Sequence, residues 1–232
     1  MTAPHGLKLR PPGHRELFTN SEVGREGMVV FDAASGHVLR TFDLPPGVHN
    51  FVFQADGRAL YAFTTTGRVL RVDPERGTLL AQAEIATPRG LGWTADGRRL
   101  IAGGRNELVL LNPEDLSVEA RYGQLGVGQV FYASASTDGR WILAPAVLDG
   151  VLLILDAKTG RVERRIQTGS PLLTVADGAQ VWISNVLVPP QMMPADAPPR
   201  NGGISLMDLR TFGITSIDGV PDANGIAVCP SR

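Results

Sequence analysis

The sequence predicts an all-β fold, a single β-propeller of five four-stranded antiparallel blades. Three observations lead to this prediction. Asp-Gly turns recur between alternating apolar runs at a spacing of about 40 residues, the usual length of a four-stranded blade. A second series of strand–turn–strand units lies between those turns, and no stretch shows the apolar stripe of a long helix.

The first series consists of hairpins built around Asp-Gly. Three copies, "FVFQADGRALYAF", "LGWTADGRRLIAG" and "ASASTDGRWILAP", place Asp-Gly-Arg at Asp56, Asp96 and Asp138. A fourth copy, "LLTVADGAQVWIS", carries Asp177 and Gly178. Asp and Gly tolerate the positive φ angles that tight hairpin turns require, so each copy predicts two antiparallel strands joined by a structural turn.

The second series has five members, and it fixes the predicted number of blades. Each member is a strand that ends in Asp or Asn, followed by a short polar turn and another strand. The five residues that end these strands are Asp32, Asp73, Asn112, Asp156 and Asp208. One such unit in every blade predicts five blades.

The two ends of the chain are predicted to complete one blade together. "RELFTNS", residues 15–21, has the pattern of the second strand of a hairpin, and "GIAVCP", residues 225–230, has the pattern of a first strand. Their pairing would close the ring and cover two open sheet edges. The chain is therefore predicted to be one domain over residues 1–232, with an N-terminal extension over 1–13 and an inserted loop over 187–200.

Composition and charge argue against some kinds of binding partner and some kinds of metal or disulfide site. With 22 basic and 23 acidic residues the formal net charge is −1, so no broad electrostatic attraction to nucleic acid or to an anionic membrane is expected. The single cysteine, Cys229, excludes an internal disulfide and a site with several thiolate ligands. No secretory signal or membrane span is recognisable, so we expect a cytoplasmic monomer, or a periplasmic or extracellular protein if a signal peptide has been removed.

The repeats resemble a known family. "HRELFTNSEVGREGMVVFDAASGHVLRTFDLP" and "VPDANGIAVCPS" are similar to the YVTN-type bacterial β-propeller repeats, in which a "GIAVSPDG" hairpin precedes a "VYVTN" strand and a further strand pair. The resemblance covers nearly the whole chain and implies a propeller. That family includes surface proteins, proteins that bind ligands or partners, and subunits of redox enzymes, so the resemblance leaves the function open.

The repeat register brings a set of polar residues to the mouth of the central channel. His49, Arg89 and Asn224 occupy equivalent positions at the start of inner strands, and Asn50 and Tyr132 lie one position further along. Asp222 lies close by in the sequence. Such a set favours a small polar or anionic ligand, because a guanidinium forms charge-assisted hydrogen bonds to carboxylates and phosphates. The alternative is that these residues only hydrate the channel entrance.

The loop over 187–200 is predicted to lie on the same face. Met192 and Met193 would then cover the channel or contact a protein partner, since methionine adapts to irregular surfaces. The alternative is that the loop folds over its own blade. The charged and amide residues of neighbouring loops, such as Arg105, Asn106 and Asp149, are expected to be solvated.

No motif in the sequence identifies a reaction or a cofactor. The chain has four histidines, no G-x-S-x-G nucleophile motif, no HExxH, and no glycine-rich phosphate loop. We therefore expect a non-catalytic binding or scaffold module without a metal or cofactor, which takes a small molecule or a protein segment. The alternative is a lyase or hydrolase at the channel mouth with His49 as general base.

Overall fold

The computed structural model describes residues 2–23, 27–193, 202–217 and 219–227. These residues form five four-stranded antiparallel sheets and one short 3₁₀ turn, Pro190–Met192. The prediction of an all-β chain built from four-stranded antiparallel units is therefore confirmed. A search of the described residues for a helical membrane span finds no candidate.

Each sheet contains four strands that are consecutive in the chain. The first sheet contains β1 (Thr2–Leu9), β2 (Glu16–Val23), β3 (Gly27–Asp32) and β4 (Val38–Asp43). The second contains β5 (Val48–Phe53), β6 (Leu60–Thr64), β7 (Arg68–Val72) and β8 (Leu79–Glu84). The third contains β9 (Gly90–Trp93), β10 (Leu100–Gly104), β11 (Glu107–Leu111) and β12 (Val118–Gly123).

The last two sheets follow the same order. The fourth contains β13 (Ser134–Ala135), β14 (Trp141–Ala146), β15 (Val151–Asp156) and β16 (Val162–Gln167). The fifth contains β17 (Pro171–Asp177), β18 (Gln180–Asn185), β19 (Gly203–Asp208) and β20 (Ile214–Ile217). The first strands of neighbouring sheets contact each other in the order β1, β5, β9, β13 and β17, so they form an inner row.

The turns have the chemistry that their sequences predict. In the Asp-Gly-Arg hairpins, Gly57, Gly97 and Gly139 have φ angles of 71°, 66° and 72°. The carboxylate before each glycine accepts the backbone N–H two residues on, as Asp56 does from Arg58 at 3.0 Å. The second series uses the same device: Asp208 accepts the backbone N–H of Arg210 at 2.7 Å. These acidic residues therefore shape turns.

Apolar clusters join each sheet to the next. Between the first two sheets, Phe18 packs edge-on against Phe53, with ring centroids 5.0 Å apart. Further clusters join the second sheet to the third, the third to the fourth and the fourth to the fifth. Trp93 contributes to one of them and donates its indole N–H to the carbonyl of Phe53 at 2.9 Å. Each sheet is thus packed face to face against the next one in the chain, and these apolar contacts stabilise the fold.

An ionic network also ties the first sheet to the second. Glu16 lies between the guanidinium groups of Arg10, at 2.8 Å, and Arg40, which also contacts Glu75 at 3.6 Å. The Arg10 side chain donates to the carbonyl of Gly57 at 2.8 Å. Hydrogen bonds from Arg40 and Arg10 hold the pKa of Glu16 below its ordinary value, against an opposing effect of partial burial.

The predicted pairing of residues 225–230 with residues 15–21 is wrong. β2 already has β1 on one edge and β3 on the other, so neither edge is open to another strand. Most of the segment treated above as an N-terminal extension is β1, the inner strand of the first sheet. Residues 225–227 form no strand, and residues 228–230, including Cys229, lie outside the described residues.

Candidate functional site

A cavity of 1230 Å³ lies along the inner strands. Its wall takes side chains from all five sheets or from the segments that lead into them, and these include His5, His49, Arg89, Phe131 and Thr174. The cavity is larger than a typical small-molecule pocket of about 300–1,000 Å³, so it has room for a small ligand together with water.

Most of the predicted site residues meet in this cavity. His49, Asn50, Arg89, Tyr132 and Asn224 all line it. The amide of Asn50 donates to the hydroxyl of Tyr132 at 3.1 Å, so residues 82 positions apart are in direct contact. The repeat register therefore places these side chains together, as the sequence predicts.

The two methionines of the predicted lid differ in position. Met192 ends the 3₁₀ turn, has 59% of its surface exposed and lines the cavity. Met193 is half-buried, and it is not part of the cavity wall. The remainder of this loop, residues 194–200, lies outside the described residues.

Asp222 braces the site from outside the cavity wall. One carboxylate oxygen accepts the backbone N–H of Leu187 at 2.8 Å, and the other accepts the side-chain amide of Asn224 at 3.1 Å. Asp222 therefore fixes Asn224 relative to the start of the 187–200 loop. Asp222 does not line the cavity and so adds no negative charge to its wall. The prediction from the sequence places Asp222 among the ligand-binding residues.

A buried asparagine joins the two strands that carry His5 and His49, on one side of the cavity. Asn20 is fully buried; its carbonyl oxygen accepts the backbone N–H of Gly6 at 2.9 Å, and its amide donates to the carbonyls of Val48 and His49 at 3.2 and 3.1 Å. These bonds fix β1 against β5. The rings of His5 and His49 consequently lie with their centroids 4.0 Å apart.

The loop that carries Arg89 is held in a similar way. The side chain of Gln129 donates to the carbonyl of Thr87 at 3.0 Å and accepts its hydroxyl at 3.1 Å. The backbone N–H of Arg89 donates to the carbonyl of Gly103 at 2.9 Å. The base of the Arg89 side chain is therefore fixed, although Thr87 has a φ of 48°, an unusual value for a residue other than glycine.

The charge of the cavity wall is positive. Lys8, Arg89 and Arg105 contribute cationic side chains, and none of the described residues that line the cavity is an aspartate or a glutamate. Within the described part of the chain, these three side chains make no hydrogen bond or ion pair. Burial lowers the pKa of Lys8, as expected for a cation without a nearby carboxylate.

Sequence reasoning missed His5, Lys8 and the contribution of Arg105. The first two lie on β1, which was interpreted as an extension because Pro12 and Gly13 replace the Asp-Gly of the other hairpins. "HGLKL" does show the alternation of an inner strand. Arg105 is exposed, as expected of a solvated loop residue, but it also lines the cavity, next to Asn106, which accepts the backbone N–H of Gly126 at 2.7 Å.

The described residues contain no group of three or more His, Cys, Asp or Glu side chains that could hold a metal ion. The oxygen and nitrogen atoms that face the cavity belong to amides, hydroxyls, imidazoles and cations. This set suits an anion better than a metal ion, since it offers two imidazoles and no carboxylate or thiolate, and three of its members are cations that would repel a metal ion.

The chain is similar to known proteins in fold. It matches no protein-family profile and no curated protein. Similar solved structures include the hydrazine synthase of Kuenenia stuttgartiensis, with a TM-score of 0.76, 15% identity and coverage of 96% of this chain and 68% of that one.

Two further similar structures belong to very different proteins. The computationally designed protein Ika8 has a TM-score of 0.68 and 14% identity, over 95% of this chain and 63% of that one. A chain of the mitotic checkpoint complex has a TM-score of 0.69 and 15% identity, over 88% and 60%. The chain thus spans 60 to 68% of these proteins' lengths. The TM-scores support a propeller-like fold, and at 14–15% identity the similarity shows no specific function.

Proposed function

We propose that this protein is a non-catalytic binding module, in which five blades form a ring around the cavity and the cavity takes a small anionic molecule. The observation that carries the proposal is the charge of the wall, where Lys8, Arg89 and Arg105 face the cavity without a carboxylate partner. Many other arginines of this chain are paired, as Arg121 is with Glu107. Lys8 and Arg89 are half-buried, whereas Arg105 is exposed. Leaving half-buried cations unpaired costs free energy, and a bound anion recovers it.

The chemistry of the wall also indicates what kind of anion fits. Phe51, Phe63 and Leu91 line the cavity beside the cations, and Tyr132 and Asn50 offer a hydroxyl and an amide. A carboxylate or phosphate with an apolar body would satisfy both parts. We expect the anionic group to contact Arg89, and the apolar part to lie against Phe63 and the two histidine rings.

A second candidate function is the lyase or hydrolase reaction with His49 as general base. The observation that favours it is the second imidazole, His5, whose ring centroid lies 4.0 Å from that of His49, in a cavity that Arg89 also lines. An acid–base pair next to a group that stabilises a developing negative charge is a common catalytic arrangement. Turnover of a bound ligand, abolished in His49→Gln while binding remains, would favour this candidate over the binding module.

The test is a thermal-shift screen of small anions at constant ionic strength. The panel holds phosphate, sulfate, and aliphatic and aromatic mono- and dicarboxylates. At about 100 times its Kd, a ligand of the native state adds roughly 2.7 kcal/mol of stability, or about 5–10 °C in Tm for a chain of this length. We expect a positive shift for at least one anion, and at least tenfold weaker binding by Arg89→Gln.

Arg98→Gln is the matched control, because Arg98 is an exposed arginine in an Asp-Gly-Arg turn, outside the cavity wall. The control variant is expected to bind as the wild type does. Equal losses in both variants, or no shift with any anion of the panel, would contradict the proposal.

A further inference from the structure

A second cleft, of 780 Å³, lies between the fourth and fifth sheets. Its wall includes Arg140 and Trp141 from the Asp-Gly-Arg hairpin of the fourth sheet, Arg164 from β16, and Arg210 and Phe212 from the turn after β19. No residue of this wall also lines the cavity described above. The turn cleft, as we call it, is therefore a separate surface.

Two arginines stack on two aromatic rings in the turn cleft. The guanidinium carbon of Arg140 lies 4.4 Å from the Trp141 ring centroid, and that of Arg164 lies 5.3 Å from the Phe212 ring centroid. The two rings meet edge to face, with their centroids 6.0 Å apart. Stacking uses the face of a guanidinium, so its N–H edge can still bind a carboxylate.

The equivalent position between the first two sheets holds an arginine with two carboxylates. Arg40 in the first sheet corresponds to Arg164 in the fourth, because each lies opposite the residue that is two places before the strand-ending aspartate. Arg40 contacts Glu16 of its own sheet and lies 3.6 Å from Glu75 of the next sheet. The positive charge at this position is therefore neutralised between the first two sheets.

Neither of these carboxylates has an acidic counterpart in the turn cleft. Trp141 takes the place of Glu16, since each pairs with the strand-ending aspartate of its sheet. Arg210 takes the place of Glu75, since each donates its backbone N–H to the aspartate two residues earlier, at 2.7 and 2.8 Å. An aromatic ring and a further cation thus replace the two carboxylates.

Two acidic residues do line the turn cleft, and both are engaged in other contacts. Asp138 accepts the backbone N–H of Arg140 at 3.0 Å, which shapes its turn. Glu163 accepts a hydrogen bond from Arg161 at 2.7 Å. Across the part of the chain that the structure describes, Arg140 and Arg164 make no ion pair. Their charges are therefore open to a carboxylate from another molecule.

We propose that the turn cleft is a docking site for an acidic segment of a partner protein, whose carboxylates bind Arg164 as Glu16 and Glu75 bind Arg40. Tryptophan and arginine side chains are the residues that most often dominate the energy of protein contacts. The arginines of the turn cleft are exposed, so a protein segment that covers them also removes water from the contact. This inference goes beyond the proposed function, because it concerns a second surface.

Fluorescence anisotropy of fluorescein-labelled hexaglutamate, titrated with the protein at low ionic strength, measures this contact. We expect saturable binding, which Arg164→Gln weakens by about fivefold or more. Hexaglutamine has the same length without the charge, and it is expected not to bind. The proposal fails if the wild type does not bind hexaglutamate, or if hexaglutamine binds equally well.

A stricter test restores the missing carboxylate. Arg210→Glu places a carboxylate where Glu75 lies in the second sheet, so it is expected to pair with Arg164 and to weaken hexaglutamate binding by more than about tenfold. Arg210 is 76% exposed and pairs with Asp208, a contact that Arg210→Gln also removes. This second variant, the matched control, should therefore weaken binding less. Equal losses in the two variants would overturn the proposal.

Two further variants locate the bound peptide. Arg98 occupies the position of Arg140 in the third sheet and lies outside the turn cleft, and Arg89 lines the cavity. Arg98→Gln and Arg89→Gln are both expected to bind hexaglutamate as the wild type does, and circular dichroism establishes that all variants are folded. A loss in Arg89→Gln with none in Arg164→Gln would place the peptide in the cavity, which overturns this proposal and leaves the proposed function standing. Tighter binding of an oligothymidylate of equal charge would indicate a nucleic-acid surface and would also overturn it.

Discussion

Replacing Asn20 with alanine should destabilise the protein and loosen the histidine side of the cavity. The Asn20 side chain is 0% exposed and makes three hydrogen bonds, with the N–H of Gly6 and the carbonyls of Val48 and His49. A net value of about 1 kcal/mol for each bond gives a loss of about 3 kcal/mol in the free energy of unfolding. The N–H of Gly6 would be left buried without this partner, which adds to the cost.

Urea unfolding at pH 7, followed by tryptophan fluorescence, measures this loss. Asn224→Ala is the control, because Asn224 is exposed and its side chain donates only to Asp222. We expect the control to change stability by no more than about 0.5 kcal/mol. A loss below about 1 kcal/mol for Asn20→Ala, or equal losses in the two variants, would refute the reasoning that Asn20 fixes β1 against β5.

Two other predictions concern charged side chains. Because Arg40 lowers the pKa of Glu16, the ionised form stabilises the fold at neutral pH, and this stability is lost as pH falls from the ordinary value of 4.5 toward the lower folded value. Glu16→Gln should therefore cost roughly 1–2 kcal/mol at pH 7 and less at pH 3; an equal cost at both would contradict this. Arg98→Ala should change stability by less than about 0.5 kcal/mol, while Arg140→Ala should cost up to about 1 kcal/mol, since the Arg140 guanidinium lies 4.4 Å from the Trp141 ring centroid. Thermal unfolding of both arginine variants compares them, and a larger loss for Arg98→Ala would show that its turn has another role.

The repeat unit of the fold was predictable from the sequence because its turns use one chemistry throughout. Asp56 and its counterparts repeat the same hydrogen bond to the backbone, and each is followed by a glycine with positive φ. The first hairpin escaped the pattern because its turn contains Pro12-Gly13 in place of Asp-Gly. As a result, the C-terminal segment was assigned to a sheet edge that β1 already occupies.

The candidate site was predictable in part, for a related reason. Register brings His49 and Arg89 to one cavity, because they occupy equivalent positions at the start of the neighbouring inner strands β5 and β9. Asn224 lines the same cavity, although residues 225–227 form no strand. The position of Arg105 depends on a loop that Asn106 shapes through a hydrogen bond to Gly126, and the spacing of the repeats holds no information about that contact. Long-range hydrogen bonds of this kind are visible only in the structure.

The proposed function requires the cavity to bind a small anion at Arg89. The most direct measurement is a crystal structure of the protein soaked with selenate, a heavier analogue of sulfate that is located by its anomalous scattering. We expect selenate inside the cavity, within hydrogen-bond distance of the Arg89 guanidinium, and no anomalous signal at that position in crystals of Arg89→Gln. Selenate on the Asp-Gly-Arg turns with none in the cavity, or the same cavity peak in both crystals, would contradict it.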